Sequence, residues 1–374
     1  MKRLTFAFAV LFIVSLIPAA ASSSTGGASV LRTRGYVKHI AADGLRVAAA
    51  TNGIARKCDR IVVWNPVQRT ISDVKTNVDC FKGDGAINEV PEVAIAGKRV
   101  AWMEGVGGNS LELSIRSRML GAKKTLTIAF AANSNGAEMQ PDGDYVGNLA
   151  ADGSLLAYNA WHVCSAVPVG GEDDLATCTE PAPGNHEVLD FGKQQLLEVV
   201  GKNGVEIASA PDTVNAKRTS LEIVSVDAGR IATQAPNGEV TLYSSEGDVV
   251  TQIAVPAGSF AGSALQGSQL VTLRDGDLEL YDVSSGELTT TIPLAAGAVL
   301  RDLQDDLAVY IVGRKVHVLR LSDGADIVYS PPGKGAVDAQ IESPGLFYSY
   351  SVPDGLDHGR IAFVRFAKVL QKLG

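Results

Sequence analysis

The chemically capable side chains of this sequence fall into three short stretches and four cysteines. Trp161 and His162 head a long polar segment that holds Asp173, Asp174 and His186. Asp354, Asp357 and His358 share a segment with Gly355 and Gly359, and Asp142 and Asp144 stand in "QPDGDYVG". Carboxylates at Asp-x-Asp spacing beside glycine can hold calcium through oxygen ligands. The twelve-residue loop with its closing glutamate is absent, and an Asp-Gly turn accounts for the same residues at lower cost. No cofactor is therefore expected, calcium at Asp142 and Asp144 or at Asp354 and Asp357 being the one ion these spacings suit. The five histidines, His39, His162, His186, His317 and His358, are scattered, and His317 alternates with Val316 and Val318 as a half-exposed strand residue does. There is no Gly-x-Ser-x-Gly elbow, no His-Glu-x-x-His, no phosphate loop and no dinucleotide fingerprint. No residue is assigned a catalytic role, and the sequence leans away from an enzyme.

The first residues describe a destination. Lys2 and Arg3 precede an apolar run from Leu4 to Ile17, Pro18 ends it, and Ala19-Ala20-Ala21 offers the small residues of a cleavage site. That pattern predicts a signal peptide over 1–21, cut before Ser22. A secreted or extracytoplasmic protein follows, in a bacterial envelope or periplasm. Loss of Lys2 and Arg3 takes the net charge from −8 to −10. An acidic chain without a basic patch interleaved with aromatics excludes nucleic acid as a partner. No later apolar run approaches the length of a bilayer span, so no membrane span is expected after cleavage.

The elements that must position these residues are read from a repeat. Seven apolar pairs each follow a turn-like tripeptide: Val47-Ala48, Val100-Ala101, Leu156-Ala157, Ile231-Ala232, Leu270-Val271, Leu307-Ala308 and Leu346-Phe347. The last steps between them are 39, 37 and 39 residues. A period near 40 filled with short alternating strands marks a β-propeller. "GRIATQAPNGEVTLYSSEGDVVTQIAV" shows the plan, with Asn237-Gly238 and Glu246-Gly247 as turns between alternating runs. The expected fold is all-β, a seven-bladed β-propeller of four-stranded antiparallel blades. Residues 35–374 form that single domain, and the leader 22–34 contains a candidate ring-closing strand at Ser29–Thr33. The last copy lacks an outer strand of its own, and "AKVLQKL" at Ala367–Leu373 reads as a short helix or a last strand. In the third repeat, "QLLEVVGKNGVEIAS" reads as the outer hairpin, which leaves "EVLDFG" in the insertion or as an alternative third strand.

On this map Cys58 and Cys80, and Cys164 and Cys178, are local neighbours. Four cysteines allow three pairings, and the spacings match no zinc motif. An oxidising compartment favours disulfides, and the blade map favours Cys58–Cys80 with Cys164–Cys178.

"AADGLRVAAA" at 41–50 and "AADGSLLAYNA" at 150–160 resemble the Asp-Gly turn and following strand of TolB-type, WD40-like propeller repeats. "GDLELYDVSSGEL" at 276–288 resembles the outer hairpin of the same broad class. The Trp-Asp and Gly-His pairs of true WD40 repeats are absent, as is the tryptophan docking pattern of quinone-dependent propellers. The resemblance implies the fold and names no substrate.

In such a ring the second-to-third-strand loops and the blade-to-blade connections emerge at one end, and the long insertions fall mostly in those two classes. The expectation is a secreted, non-catalytic, monomeric protein that binds a protein, peptide or cell-envelope partner there. Trp161, His162, Asp173, Asp174, His186, Asp354 and His358 are the candidate contact residues. A hydrolase or lyase at the mouth of the central channel is the rival, and a purely structural scaffold the third reading. Trp64 and Trp102 are expected in the core.

Overall fold

Fourteen residues make up the seven apolar pairs, and none is more than 1% exposed. In every pair the two members belong to different hydrophobic clusters, as with Val47 and Ala48 or Leu270 and Val271. Successive strand residues point to opposite faces, so each pair sits on a strand buried on both sides.

The computed structural model describes residues 28–52, 59–76, 87–107, 110–135, 141–153, 155–163, 185–190, 195–200, 206–208, 217–219, 222–235, 238–245, 248–352 and 358–374. The chain opens with β1 (Ser29–Arg32), then β2 (Val37–Asp43), β3 (Arg46–Thr51), β4 (Arg60–Asn65) and β5 (Thr70–Lys75). Next come β6 (Ile87–Glu89), β7 (Val93–Ala96), β8 (Arg99–Gly107), β9 (Ser110–Met119) and β10 (Leu126–Asn135). They are followed by β11 (Pro141–Asp152), β12 (Leu155–Val163), β13 (Asn185–Asp190), β14 (Gln195–Val200), β15 (Glu206–Ala208) and β16 (Lys217–Thr219). The regular part holds β17 (Glu222–Asp227), β18 (Arg230–Gln234), β19 (Val240–Ser244) and β20 (Val249–Ile253), then β21 (Phe260–Gln266), β22 (Gln269–Arg274), β23 (Asp277–Asp282) and β24 (Leu288–Pro293). It ends with β25 (Ala298–Gln304), β26 (Leu307–Val312), β27 (Lys315–Arg320) and β28 (Asp326–Tyr329), and with β29 (Gly335–Glu342), β30 (Gly345–Val352), β31 (His358–Arg365) and the helix α1 (Phe366–Leu373).

These strands form an all-β propeller of small antiparallel sheets. Five sheets of four strands stand alone: β2–β5, β17–β20, β21–β24, β25–β28, and β29–β31 with β1 on the outside. A sixth sheet has nine strands, β6 to β14, and β15–β16 is a separate ribbon. The expectation of seven separate four-stranded sheets is corrected here. Strands β10 and β11 pair through Asn133–Gly143, Ser134–Asp142 and Asn135–Pro141, which joins what would otherwise be two sheets. The third repeat is also redrawn: "EVLDFG" supplies β13, paired with β12, and "QLLEVV" is the outer strand β14. "AKVLQKL" is helical, and Val369 and Leu373 are its buried face.

The inner strands β2, β7, β11, β17, β21, β25 and β29 touch one another in that order, and β29 returns to β2. Each leads to the second strand of its unit through a two-residue turn. Six of these turns open on a residue with φ between +47° and +60°: Gly44, Gly97, Gly153, Ala228, Gly267 and Asp305. That left-handed start matches the twist of a tight hairpin.

The circle is held shut by pairing distant in sequence. β1 lies antiparallel on β31, Ser29 opposite Phe363 and Arg32 opposite Arg360. Thr33 and Gly359 continue it, Thr33 N–H donating to Gly359 O at 3.1 Å and Gly359 N–H to Gly35 O at 2.8 Å. A Cβ on Gly359 would lie 2.6 Å from Thr33 Oγ1, so only glycine fits. Phe347 and Phe363, with ring centroids 4.9 Å apart, pack in one cluster with Leu31, Val37 and Trp64. Trp102 is fully buried and donates from Nε1 to Glu104 Oε1 at 2.7 Å. Both expected core tryptophans are thus in the core.

Deleting residues 22–33 exposes the β31 edge and lowers the melting temperature. Phe347→Ala costs about 3–5 kcal/mol in denaturant unfolding.

Candidate functional site

The inner strands surround a cavity of about 270 Å³, and each of them contributes wall residues to it. They approach one another around this axis without forming a ladder, so their backbone N–H groups need partners from elsewhere. Side chains of the preceding strand provide them. At the turn end, Asp152 Oδ2 accepts from Ala228 N–H at 2.7 Å and Asp227 Oδ2 from Gly267 N–H at 2.9 Å. Asp43 accepts from Gly97 N–H, and Gln266 from Asp305 N–H, in the same way. Two residues further in, Ser225 Oγ accepts from Leu265 N–H at 3.2 Å and Asp302 Oδ2 from Ile341 N–H at 2.8 Å, and Gln340 accepts from Ala42 N–H. Still further along, Asp338 Oδ2 accepts from Ile40 N–H at 2.9 Å. The rule is constant: a side chain on one strand meets the N–H one level onward on the next.

Carboxylates used this way crowd together. Burial pushes Glu342 up to about 8, the charges of Asp302, Asp43 and Asp152 add to the shift, and the Gly44 N–H opposes it. Burial likewise pushes Asp302 up to about 7, opposed by the N–H groups of Ile341 and Leu303 and reinforced by Asp338. Asp43 is raised by burial, against the pull of the Gly97 N–H.

Bulges shape the cavity wall. The pairing of inner with second strand slips by a residue or more in β2, β11, β17, β21, β25 and β29. Such a slip twists the strand and re-aims a side chain. In β25 the extra residue is Arg301, which lines the cavity. His39 lines it too, and both flank the buried Asp338: His39 Nε2 is 3.7 Å from Oδ2 and Arg301 Nε is 3.9 Å from Oδ1.

The residues singled out from sequence are distributed differently. Trp161 and His162 are strand residues of β12, opposite Tyr145 and Asp144 of β11. His186 is in β13 opposite Asn159. One sheet thus gathers Trp161, His162, His186 and Asp144. Asp142 and Asp144 were expected in an Asp-Gly turn; both lie within β11, because its pairing with β10 extends the strand to Pro141. His358 opens β31, opposite Val352 in another sheet, and its Nδ1 is buried without a partner. Asp173, Asp174, Asp354, Asp357 and Cys58, Cys80, Cys164 and Cys178 lie outside the described residues. His317 is a strand residue hydrogen-bonded through Nδ1 to Asp326 Oδ2 at 2.9 Å and stacked on Tyr310. Among the described residues no group of three His, Cys, Asp or Glu is placed to hold a metal ion.

The interstrand ties were not foreseen, although their signal was present. An Asp, Glu or Gln stands at the end of the inner strand in "AADG", "VDAG", "LQGS" and "IESP", four residues before the apolar pair.

With this geometry in hand, comparison with solved structures gives the fold. A chain in the crystal structure of the Mitotic Checkpoint Complex aligns at 12% identity with TM-score 0.50, covering 98% of this chain and 100% of that one. The Pan2 WD40 domain of Neurospora crassa aligns at 12% identity and TM-score 0.46, covering 89% and 91%. BamB from Moraxella catarrhalis aligns at 10% identity and TM-score 0.48, covering 92% and 96%. No family model and no curated protein matches the sequence. The fold is a β-propeller.

The raised carboxylates predict a pH dependence. Glu342 and Asp302 keep protons in the ring that the unfolded chain has released at neutral pH. Their contribution is full below about pH 4 and is lost as pH rises through about 7 to 8. Glu342→Gln keeps an acceptor but cannot ionise. It narrows the difference between the melting temperatures at pH 5 and pH 9, measured by differential scanning fluorimetry. An undiminished difference would contradict this assignment.

Proposed function

We propose that this protein is a secreted, non-catalytic β-propeller that binds a protein, peptide or cell-envelope partner through the end of the ring opposite its two-residue turns. The observation that carries this reading is the asymmetry of the connections. Every inner strand reaches its second strand in two residues. Residues 164–184 join a second strand to a third, and 76–86 and 201–221 lead from one unit toward the next. Because all inner strands run the same way around the axis, these longer segments leave from the other end. Connections at that end vary in length where the turns do not.

On this reading the nine-stranded sheet counts as two blades, β7–β10 and β11–β14, which makes seven. The cyclic order of inner strands supports that count. Residues 1–21 are a signal peptide cut before Ser22, and the mature chain is extracytoplasmic and monomeric. Among the described residues no helix is long and apolar enough to cross a membrane. Cys58–Cys80 and Cys164–Cys178 tie the recognition end, to which Trp161, His162, Asp173, Asp174, His186, Asp354 and His358 belong. No cofactor is required; calcium at Asp142 and Asp144 or at Asp354 and Asp357 is tested by adding a chelator to the melting experiment.

The decisive variant replaces residues 166–183 by a short Gly-Ser linker and is paired with Trp161→Ala. Both keep the native melting transition and lose the partner that the unaltered protein captures from an envelope extract. A captured partner that still binds the linker variant overturns the reading. Mass spectrometry of the exported protein, expected to begin at Ser22, tests the leader.

A further inference from the structure

The cavity holds basic and acidic side chains at two levels, Asp227 being also ion-paired with Arg230. His39 and Arg301 stand at one, and Asp152, Asp227 and Glu342, each the last residue of its inner strand, stand at the other. Arg301 precedes the last residue of its own strand, Gln304, by three positions. At the strand rise of 3.3 Å per residue the levels are about 10 Å apart.

The level of Arg301 and His39 has polar groups without hydrogen-bond partners among the described residues. The Arg301 side chain is 35% exposed, and among the described residues it makes no hydrogen bond. Its nearest carboxylate, Asp338, is already taken: Oδ2 accepts from Ile40 N–H and Oδ1 from Ala339 N–H, each at 2.9 Å. His39 Nδ1 is buried with no partner. A guanidinium offers five donors in a planar fork that matches a carboxylate in two bonds. A simple anion would leave the carboxylates of the other level without a partner. A simple cation would leave the fork empty. The cavity volume is below that of a site for a drug-sized ligand.

We propose that the central channel is a binding site for a small molecule carrying a carboxylate and an ammonium about 10 Å apart, the carboxylate on Arg301 and His39 and the ammonium against Asp152, Asp227 and Glu342. A short peptide and an ω-amino acid share this chemistry. The site is independent of the recognition end proposed above, so either reading can fail alone.

Titration calorimetry of the full mature chain at pH 7 tests it with four probes: trialanine, 6-aminohexanoate, hexylamine and hexanoate. At least one of the first two binds, and the single-charge probes bind at least tenfold more weakly. Binding of trialanine alone indicates a peptide, and of 6-aminohexanoate alone an ω-amino acid. Arg301→Gln weakens binding at least tenfold without altering the melting transition. Arg301→Lys, which keeps the charge and loses the fork, falls between, and serves if the glutamine variant folds poorly. An ammonium beside Glu342 expels its proton, so heats measured in two buffers of different ionisation enthalpy report proton release, and Glu342→Gln abolishes that release. No heat from either bifunctional probe overturns the proposal. So does hexylamine or hexanoate binding as tightly as the bifunctional probes, or an Arg301→Gln variant that binds unchanged.

Discussion

Strands that converge on an axis cannot all be neighbours in one sheet, and their facing N–H groups are left without a ladder. This chain answers with side chains. Asp152 to Ala228, Asp227 to Gly267, Asp302 to Ile341 and Asp338 to Ile40 are repetitions of a single bond from one unit to the next. A buried N–H left unpaired costs about 1–3 kcal/mol. The closed circle depends on these bonds as much as on the apolar clusters between units. The clusters are indifferent to rotation by a residue; the ties are not. They fix which level of one strand meets which level of the next.

The same solution concentrates negative charge where solvent is scarce. Asp43, Asp302 and Glu342 are each raised, and burial is the first cause in every case. Where the sequence breaks the pattern, a neighbour compensates. The second inner strand ends in Ala96, which has no acceptor to offer, and Asp43 reaches both Gly97 and Gly153. The bulges have a related origin. A strand that must twist toward the axis while presenting an acceptor to its neighbour gains the needed turn from one extra residue, and Arg301 enters the channel that way.

Much of the fold was legible because it is written in burial. Each apolar pair faces two different cores, so hydrophobicity at both positions is obligatory and the repeat stands out. The closing strand was legible for a related reason: the last repeat lacks an outer strand, and "SVLR" is the nearest apolar run able to pair with it. The third repeat was harder, since β13 and β14 are separated from β12 by residues 164–184 and two segments competed for the role of third strand. Asp142 and Asp144 misled for a physical reason as well. An Asp-Gly sequence reads as a turn, yet pairing with β10 holds it extended. The channel residues were invisible, because His39 and Arg301 acquire meaning only when strands 262 positions apart in sequence are laid beside Asp338. The acceptors at the strand ends were visible as letters and unreadable as contacts, since an aspartate before a glycine has a sufficient local explanation.

The two ends of the ring therefore differ in kind. At the turn end Asp152 and Asp227 each use Oδ2 for closure, so replacing either would undo a tie. At the other end the connections vary in length, and the described ties there are those of Thr33 with Gly359 and of Val90 with Asp59. Within the channel, the groups that remain uncommitted are the ones the bulges expose. A fold built by repeating one bond around an axis commits its strand-end acceptors to closure, and the Arg301 guanidinium stands among them without a hydrogen bond among the described residues.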